Sequence, residues 1–230
     1  MEGGIGGCGG GRRRGPERGY TGTVMWRLAL LACGPQLEVA LARETGAAAS
    51  VVRLAGGSPR STLLLAAVDL LVEDAGISPG EIDQVVVSRG PGSFTGIRSG
   101  LATAEGLAAA TGVALLAYGS LLAQAARCTA GGDVWAAQPG RRGEVYAQRF
   151  RLPEEGPPVA AGPVEVLAVT ALSSRGPWVA PELLDLGGAE RRPTVRTGAE
   201  ALLALAGWGQ EAEPPTPFYL EGPPVHGGAG

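Results

Sequence analysis

Apolar positions fall into short runs near the start of the chain and into longer periodic stretches after residue 60. Leu28 to Ala32 and Leu37 to Arg43 are separated by Gly34 and Pro35, and Ser50 to Leu54 forms a third run. Short runs bounded by turn formers predict strands, here a β-meander. Ser61 to Ala75 has helical spacing. Leu64, Val68, Leu71 and Ala75 make one stripe, Leu63, Ala67 and Leu70 a neighbouring one, and Asp69, Glu73 and Asp74 are the only charges. A helix apolar around most of its circumference is expected to be covered on two sides, by its own sheet and by something else.

Ser78 and Glu81 have capping-box spacing, which predicts a single turn before the strand Gln84 to Ser88. The loop RGPGSFTG follows, then a helix from Thr95 to Thr111 and a strand from Val113 to Ala117. Strand, loop, helix and strand in that order imply a parallel pair within the sheet. Beyond Gly119, Ser120 caps a helix reaching Arg127, and Val134 to Ala137 pairs with Glu144 to Arg151 around PGRRG. Pro153 to Pro193 is broken by Pro and Gly, and Gly198 to Leu205 is the last helix. The expected α/β fold has a first lobe of residues 25–118 and 206–230 and a smaller second lobe of residues 119–205.

Composition narrows the chemistry. With 230 residues, 45% of them hydrophobic, and a mean hydropathy of +0.13, the chain can bury one core or two small lobes. Residues 1–24, rich in Gly and Arg, are expected to lie outside the fold, with Met25 an alternative start. All 19 basic residues are arginine, and the single histidine is His226. Without lysine there is no Walker lysine, Schiff base or Ser-Lys dyad. One histidine excludes an HExxH zinc site and leaves no triad or Cys-His pair. Carboxylate, hydroxyl, arginine or backbone chemistry remains. The net charge of −3 and pI near 5.3 argue against a direct RNA footprint, so tRNA would be served only through a partner. Cys8, Cys33 and Cys128 are odd in number and widely spaced, as expected of reduced cytoplasmic thiols. MWRLALLACG has the outline of a lipoprotein signal, but its apolar run falls short of the roughly 7–15 residues required. No apolar run approaches the ~18 residues of a membrane helix.

The most informative segment is SRGPGSFTGIRSGLATAEGLA, Ser88 to Ala108. Gly90, Gly92 and Gly96 permit close backbone approach, and Pro91 stiffens the turn. Two readings stand. The backbone amides at the helix start can cradle an anion, or the loop is a tight turn packing a strand end against a helix. Ser93 or Thr95 is the helix cap, and Ser93 is not a nucleophile-elbow serine, because Thr95 stands where that motif needs glycine. On the helix, Ile97, Leu101, Ala104 and Ala108 form a stripe while Gly100, Ala102, Gly106, Ala109 and Ala110 keep the rest low, a surface another helix can approach closely. The two helices together suggest a helical interface with a partner, for which ~800 Å² per side would be a standard size. Its expected residues are Leu64, Val68 and Leu71 on the first helix and Ile97, Leu101, Ala104, Glu105 and Ala108 on the second.

GPGSFTGIRSGLATAEGLA resembles the hallmark segment of the TsaB (YeaZ) family, within which Gly90, Pro91, Gly92, Ser93, Phe94, Thr95, Gly96 and Arg98 form the motif loop. RRGEVYAQRF, Arg141 to Phe150, and PFYLEGPP, Pro217 to Pro224, resemble two further family segments in the right order. The resemblance implies the two-lobed actin, sugar kinase and Hsp70 architecture, ribonuclease H-like, with a degenerate nucleotide site. It implies a non-catalytic subunit with no cofactor of its own and no catalytic or metal residues, any nucleotide lying at a complex interface. The implied partners are a TsaD-like catalytic subunit, which transfers threonylcarbamoyl to tRNA adenosine, a TsaE-like ATPase, and a second copy of the chain when TsaD is absent. No membrane is involved. Three departures from the family pattern bear on partner affinity. Cys33, Gly34 and Pro35 replace an Asp-Thr pair, GGSPRST lacks a His-Ser, and Glu105 stands where lysine is usual. A divergent homodimeric scaffold, or an active ATPase or phosphotransferase of the same fold, are the competing functions. The latter would need acidic residues at the first strand's end.

Overall fold

A computed structural model of the chain describes residues 25–43, 48–55 and 60–220. Residues 1–24 with Cys8, most of GGSPRST, and residues 221–230 with His226 lie outside the described residues.

The central strand is β1 (Arg27–Leu31), which is apolar on both faces. Leu28 and Leu30 face one layer and Ala29 and Leu31 the other. β2 (Leu37–Ala42) pairs antiparallel with β1, and β3 (Ser50–Leu54) antiparallel with β2. On the other side of β1, β4 (Gln84–Ser88) and β5 (Ala114–Tyr118) add in parallel, giving the order β3-β2-β1-β4-β5. The meander and the parallel pair both form as expected, each within a residue or so of its predicted bounds.

Two helices cover the Leu28 face: α1 (Arg60–Asp74) through Leu64, Ala67, Val68 and Leu71, and α2 (Phe94–Thr111) through Ile97, Leu101 and Ala104. These residues are the core of the first lobe. Ser78 caps its 3-10 turn through its N–H, which donates to Glu81 Oε2 at 2.8 Å.

The opposite face is closed by α3 (Ser120–Ala125) and α4 (Gly198–Gly207). Ala199, Ala201, Leu202 and Leu205 pack on Ala29, Leu31, Ala40 and Val86, where small strand residues let the helix settle close to the sheet. Thr197 caps α4, its Oγ1 accepting from Glu200 N–H at 3.2 Å. The assignment of residues 119–205 to the second lobe is therefore corrected: α4 belongs to the first. Its periodicity identified a helix but carried no information on which sheet would receive it.

The second lobe is a sheet with the path β10-β6-β7-β8, made of β6 (Asp133–Pro139), β7 (Glu144–Arg151), β8 (Val159–Ala160) and β10 (Trp178–Val179), with β9 (Glu165–Ala168) also on β7. The Pro/Gly-interrupted stretch thus holds three strands of two to four residues, too short to show periodicity. Trp178 anchors them: it is fully buried and its Nε1–H donates to Leu172 O at 3.1 Å.

α3 stands between the lobes, with Ala123 and Ala126 packed toward the first and Leu121 and Ala125 toward the second. Next to it, Arg127 is 3% exposed. Its guanidinium donates to Gln124 Oε1 (2.8 Å), Ala180 O (3.1 Å) and Arg196 O (3.1 Å). It lies 3.7 Å from Glu182, a carboxylate that Arg53 of β3 also reaches at 3.2 Å. Burial lowers the Arg127 pKa, opposed by Glu38 and Glu182.

Replacing Leu64 with Ala is expected to cost about 2–5 kcal/mol, because a side chain wholly inside the α1–sheet core leaves a cavity. Urea denaturation compared with wild type measures it.

Candidate functional site

The motif loop joins β4 to α2, and its glycines are set by carbonyl oxygens already in place. A Cβ at Gly90, whose φ is +106°, would lie 2.6 Å from Phe218 O and 2.7 Å from Ile97 Cδ1. One at Gly92 would fall 2.4 Å from Cys33 O, and one at Gly96 2.1 Å from Ala32 O. Missing side chains let the start of α2 press onto the end of β1. The Gly90–Pro91 peptide is cis.

Ser93 is the cap. Its Oγ accepts from Gly96 N–H at 3.3 Å, while its own N–H donates to Cys33 O at 2.8 Å. Thr95 is exposed. The loop makes the tight turn that packs the strand end against the helix, with the amides of Ser93 and Gly96 serving the strand end and the cap. Ser120 pins the loop from the other side, its N–H donating to Gly90 O (2.7 Å) and its hydroxyl to Pro91 O (2.5 Å). Cys33 and Cys128 are buried thiols, Cys33 Sγ lies 3.3 Å from Ser88 Oγ, and burial pushes the Cys128 thiol up.

The C-terminal segment crosses the same loop. Glu213 N–H donates to Ala117 O (2.9 Å), and Phe218 N–H to Arg89 O (2.8 Å). Arg89 pairs with Glu213, donates to Thr216 O at 2.9 Å and lies 5.4 Å from the Phe218 ring centroid. Tyr219 stacks on Phe94 at 4.8 Å between centroids, and the Arg98 guanidinium sits 5.5 Å from the other partner of that stack, Phe94. Tyr118 OH ties the approach by donating to Gln210 O at 3.0 Å, and its burial raises the phenol pKa, keeping the donor proton.

All three sequence motifs meet here. A cleft of about 360 Å³ between the lobes is lined by Cys33 to Pro35, Gly92 to Phe94, Pro139 to Arg141, Tyr146 and Phe218 to Leu220. Segments more than a hundred residues apart in the chain thus form one surface. Sequence reasoning identified the motifs without seeing that they converge. The signal it lacked is the Arg89–Phe218 contact, which no spacing rule predicts.

The expected partner-interface residues require correction. Leu64, Val68, Leu71, Ile97, Leu101 and Ala104 face the sheet and are buried, and Ala108 is half-buried; only Glu105 is exposed. Helical periodicity selects the stripe with the largest apolar residues, which is the stripe the chain's own sheet takes. What remains outside is still unusual. Leu65 is 51% and Leu70 56% exposed on α1, beside Ala66, and α2 presents Ala102, Gly106 and Ala109.

A five-stranded sheet of order 3-2-1-4-5 with strand 2 antiparallel, helices on both faces and a second sheet beyond α3 define a two-lobed protein of the actin, sugar kinase and Hsp70 class. The family model described as TsaD: tRNA N6-adenosine threonylcarbamoyltransferase matches residues 60–173. The solved structure of YeaZ from Pseudomonas aeruginosa superposes with a TM-score of 0.67 at 27% identity, covering 85% of this chain and all of that one. The chain is 33% identical over 96 residues to the TsaB protein of Escherichia coli, covering 40% of this chain and 42% of the relative. It is 33% identical over 152 residues to an uncharacterized protein of Mycobacterium tuberculosis, covering 65% of this chain and 69% of the relative. With an uncharacterized protein of Mycobacterium leprae it shares 37% identity over 153 residues, 65% of this chain but only 41% of that relative's length. The chain belongs to the TsaB (YeaZ) family. Among the described residues no helix is long and apolar enough to cross a membrane.

Two glycines of α2 should behave oppositely. Gly96→Ala is expected to cost about 1–3 kcal/mol or more, because Ala32 O occupies the Cβ position. Gly106→Ala, with nothing within 4 Å of its Cβ position, should gain about 0.5–1 kcal/mol from helix propensity. Thermal unfolding of both variants beside wild type tests the pair.

Proposed function

We propose that this protein acts in tRNA threonylcarbamoyladenosine biosynthesis as a non-catalytic subunit that docks and steadies a TsaD-like threonylcarbamoyltransferase. A TsaE-like ATPase joins that complex, and tRNA is met through the partner. Family membership supports the pathway. The observation that carries the docking is the outer face of α1 and α2, where Leu65 and Leu70 stand more than half exposed over a low surface of Ala and Gly. Exposed large apolar residues gathered on one helix pair mark an interaction site.

Support for the non-catalytic part comes from the start of α2. The carbonyls of Ala32 and Cys33 press on the backbone there, and Cys33, Gly34 and Pro35 follow β1 without a carboxylate for Mg²⁺. A phosphotransferase of this fold would need both features reversed. We also propose that the protein works in the cytoplasm, holds no cofactor of its own, and meets nucleotide only at a complex interface.

The test is reconstitution of tRNA modification from the TsaD-like subunit, the TsaE-like ATPase and the adenylate-forming enzyme, with and without this chain. Modification is expected to depend on it, and equal product without it would defeat the proposal. Leu65→Asp and Leu70→Asp should abolish co-purification with the catalytic subunit while leaving the melting temperature of the isolated chain within a few degrees of wild type. Leu64→Asp and Leu101→Asp should instead unfold it, since both side chains are buried.

A further inference from the structure

The floor of the inter-lobe cleft covers a polar group that the fold leaves unanswered. Gln138, next to last in β6, is fully buried, and among the described residues neither its Oε1 nor its Nε2 has a hydrogen-bond partner. A sealed amide with both ends unpaired costs free energy, and its persistence calls for a reason. Gln138 shares a face of β6 with Val134 and Ala136, which pack with Leu121 and Ala125 of α3, so it is directed toward the first lobe. There its Oε1 lies 3.7 Å from where a Cβ on Gly34 would stand. Gly34, the adjoining Pro139, and Tyr146, its register partner on β7, all line the cleft. The amide thus lies directly beneath the cleft floor, behind a residue without a side chain.

The walls are of a matching kind. Two of the chain's three phenylalanines and two of its four tyrosines line this cleft, namely Phe94, Phe218, Tyr146 and Tyr219. Tyr219 is 37% exposed even while stacked on Phe94, which leaves ring surface open to a ligand. Among the described residues that line the cleft Arg141 is the one charged group, and no carboxylate is there to hold a cation. The volume of about 360 Å³ lies at the small end of the ~300–1,000 Å³ range of ligand pockets. We propose that the cleft binds a small neutral aromatic amide, its ring against the aromatic wall and its amide paired reciprocally with that of Gln138. Gln138 Nε2–H donates to the ligand carbonyl, and the ligand N–H donates to Oε1. A carboxylate only accepts and an ammonium only donates, so either would leave one end of the Gln138 amide unanswered. To meet the ligand the Gln138 side chain turns past Gly34, where the open space at the missing Cβ leaves a passage. This binding is independent of the docking role proposed above.

The probe is benzamide, titrated into the 230-residue chain while its side-chain amide resonances are followed by NMR. The Gln138 pair is identified by its loss in Gln138→Leu, and benzamide is expected to shift it. N,N-dimethylbenzamide, which lacks the N–H, and benzoate, which only accepts, should each bind at least about tenfold more weakly, because each leaves one end of the Gln138 amide unpaired. Gln138→Leu should bind benzamide at least about tenfold more weakly and lose the preference among the three probes. Tyr219→Ala, which removes a partly exposed wall, should weaken all three. Circular dichroism melts establish that each variant is folded. Equal affinity of wild type and Gln138→Leu for benzamide would overturn the amide pairing. Absence of benzamide binding to wild type, or a Gln138 amide that keeps its cross-peaks to a bound water when benzamide is added, would make Gln138 a hydrated structural group and overturn the proposal. Should Gln138→Leu fail to fold, Gly34→Val decides: its Cβ fits but its methyl groups close the passage, so benzamide binding unchanged from wild type would again overturn the proposal.

Discussion

The buried guanidinium of Arg127 is the constraint on which the two-lobed arrangement depends. It sits where the chain passes from α3 into the second sheet, and it binds Ala180 O after β10 and Arg196 O just before α4. Both crossings between lobes are thus tied to one side chain. Its charge is balanced by Glu182, shared with Arg53, which also lies 3.4 Å from the buried Glu38. Glu38 in turn accepts from Ala199 N–H at 3.0 Å, at the positive pole of α4. A buried cation whose Nε and Nη1 donate to three acceptors and whose Nη2 faces a carboxylate is tolerable; one deprived of its partners costs several kcal/mol. The network therefore rewards one relative placement of the lobes and penalises others.

That placement creates the cleft. The motif loop is immobilised by Ser93 and Ser120 and by three glycines whose missing Cβ atoms make room for neighbouring carbonyls. The C-terminal segment is then held against it by Arg89, Phe94 and two aromatic partners. The motif loop and the C-terminal segment hold each other in place, and Arg141 and Tyr146 of the remaining motif complete the lining of the cleft. The carbonyl oxygens of Ala32 and Cys33, just past β1, press on the backbone of Gly96 and Gly92 at the start of α2.

Much of this was legible in the sequence, for identifiable reasons. The strands of the first sheet are short apolar runs between turn formers, and α1 and α2 have a 3.6-residue period, so both appeared with nearly their observed limits. Family membership rested on three ordered segments. What failed was the step from periodicity to direction. Leu64 and Leu101 belong to the strongest stripes, and a helix on a sheet gives its strongest stripe to that sheet, so the outward residues were the weaker neighbours Leu65, Leu70, Ala102 and Gly106. The second lobe was obscure because β8 and β10 have two residues each. Assignment of α4 to a lobe required knowing that Ala29 and Ala40 leave space above β1 and β2, a property of the packed sheet.

The position of α4 also has a consequence for how the chain comes into being. β1 is the central strand of its sheet and emerges from the ribosome early, whereas α4, which packs on its Ala29 and Leu31 face, lies about 170 residues later. Until Gly198–Gly207 has been made, that apolar face is covered by its own chain only where α3 and its C-cap contribute Ala123 and Ala126. Contacts so distant in sequence close slowly, and the intervening exposure invites aggregation. Vectorial synthesis thus leaves one apolar face of the first sheet only partly covered until the last helix has been made.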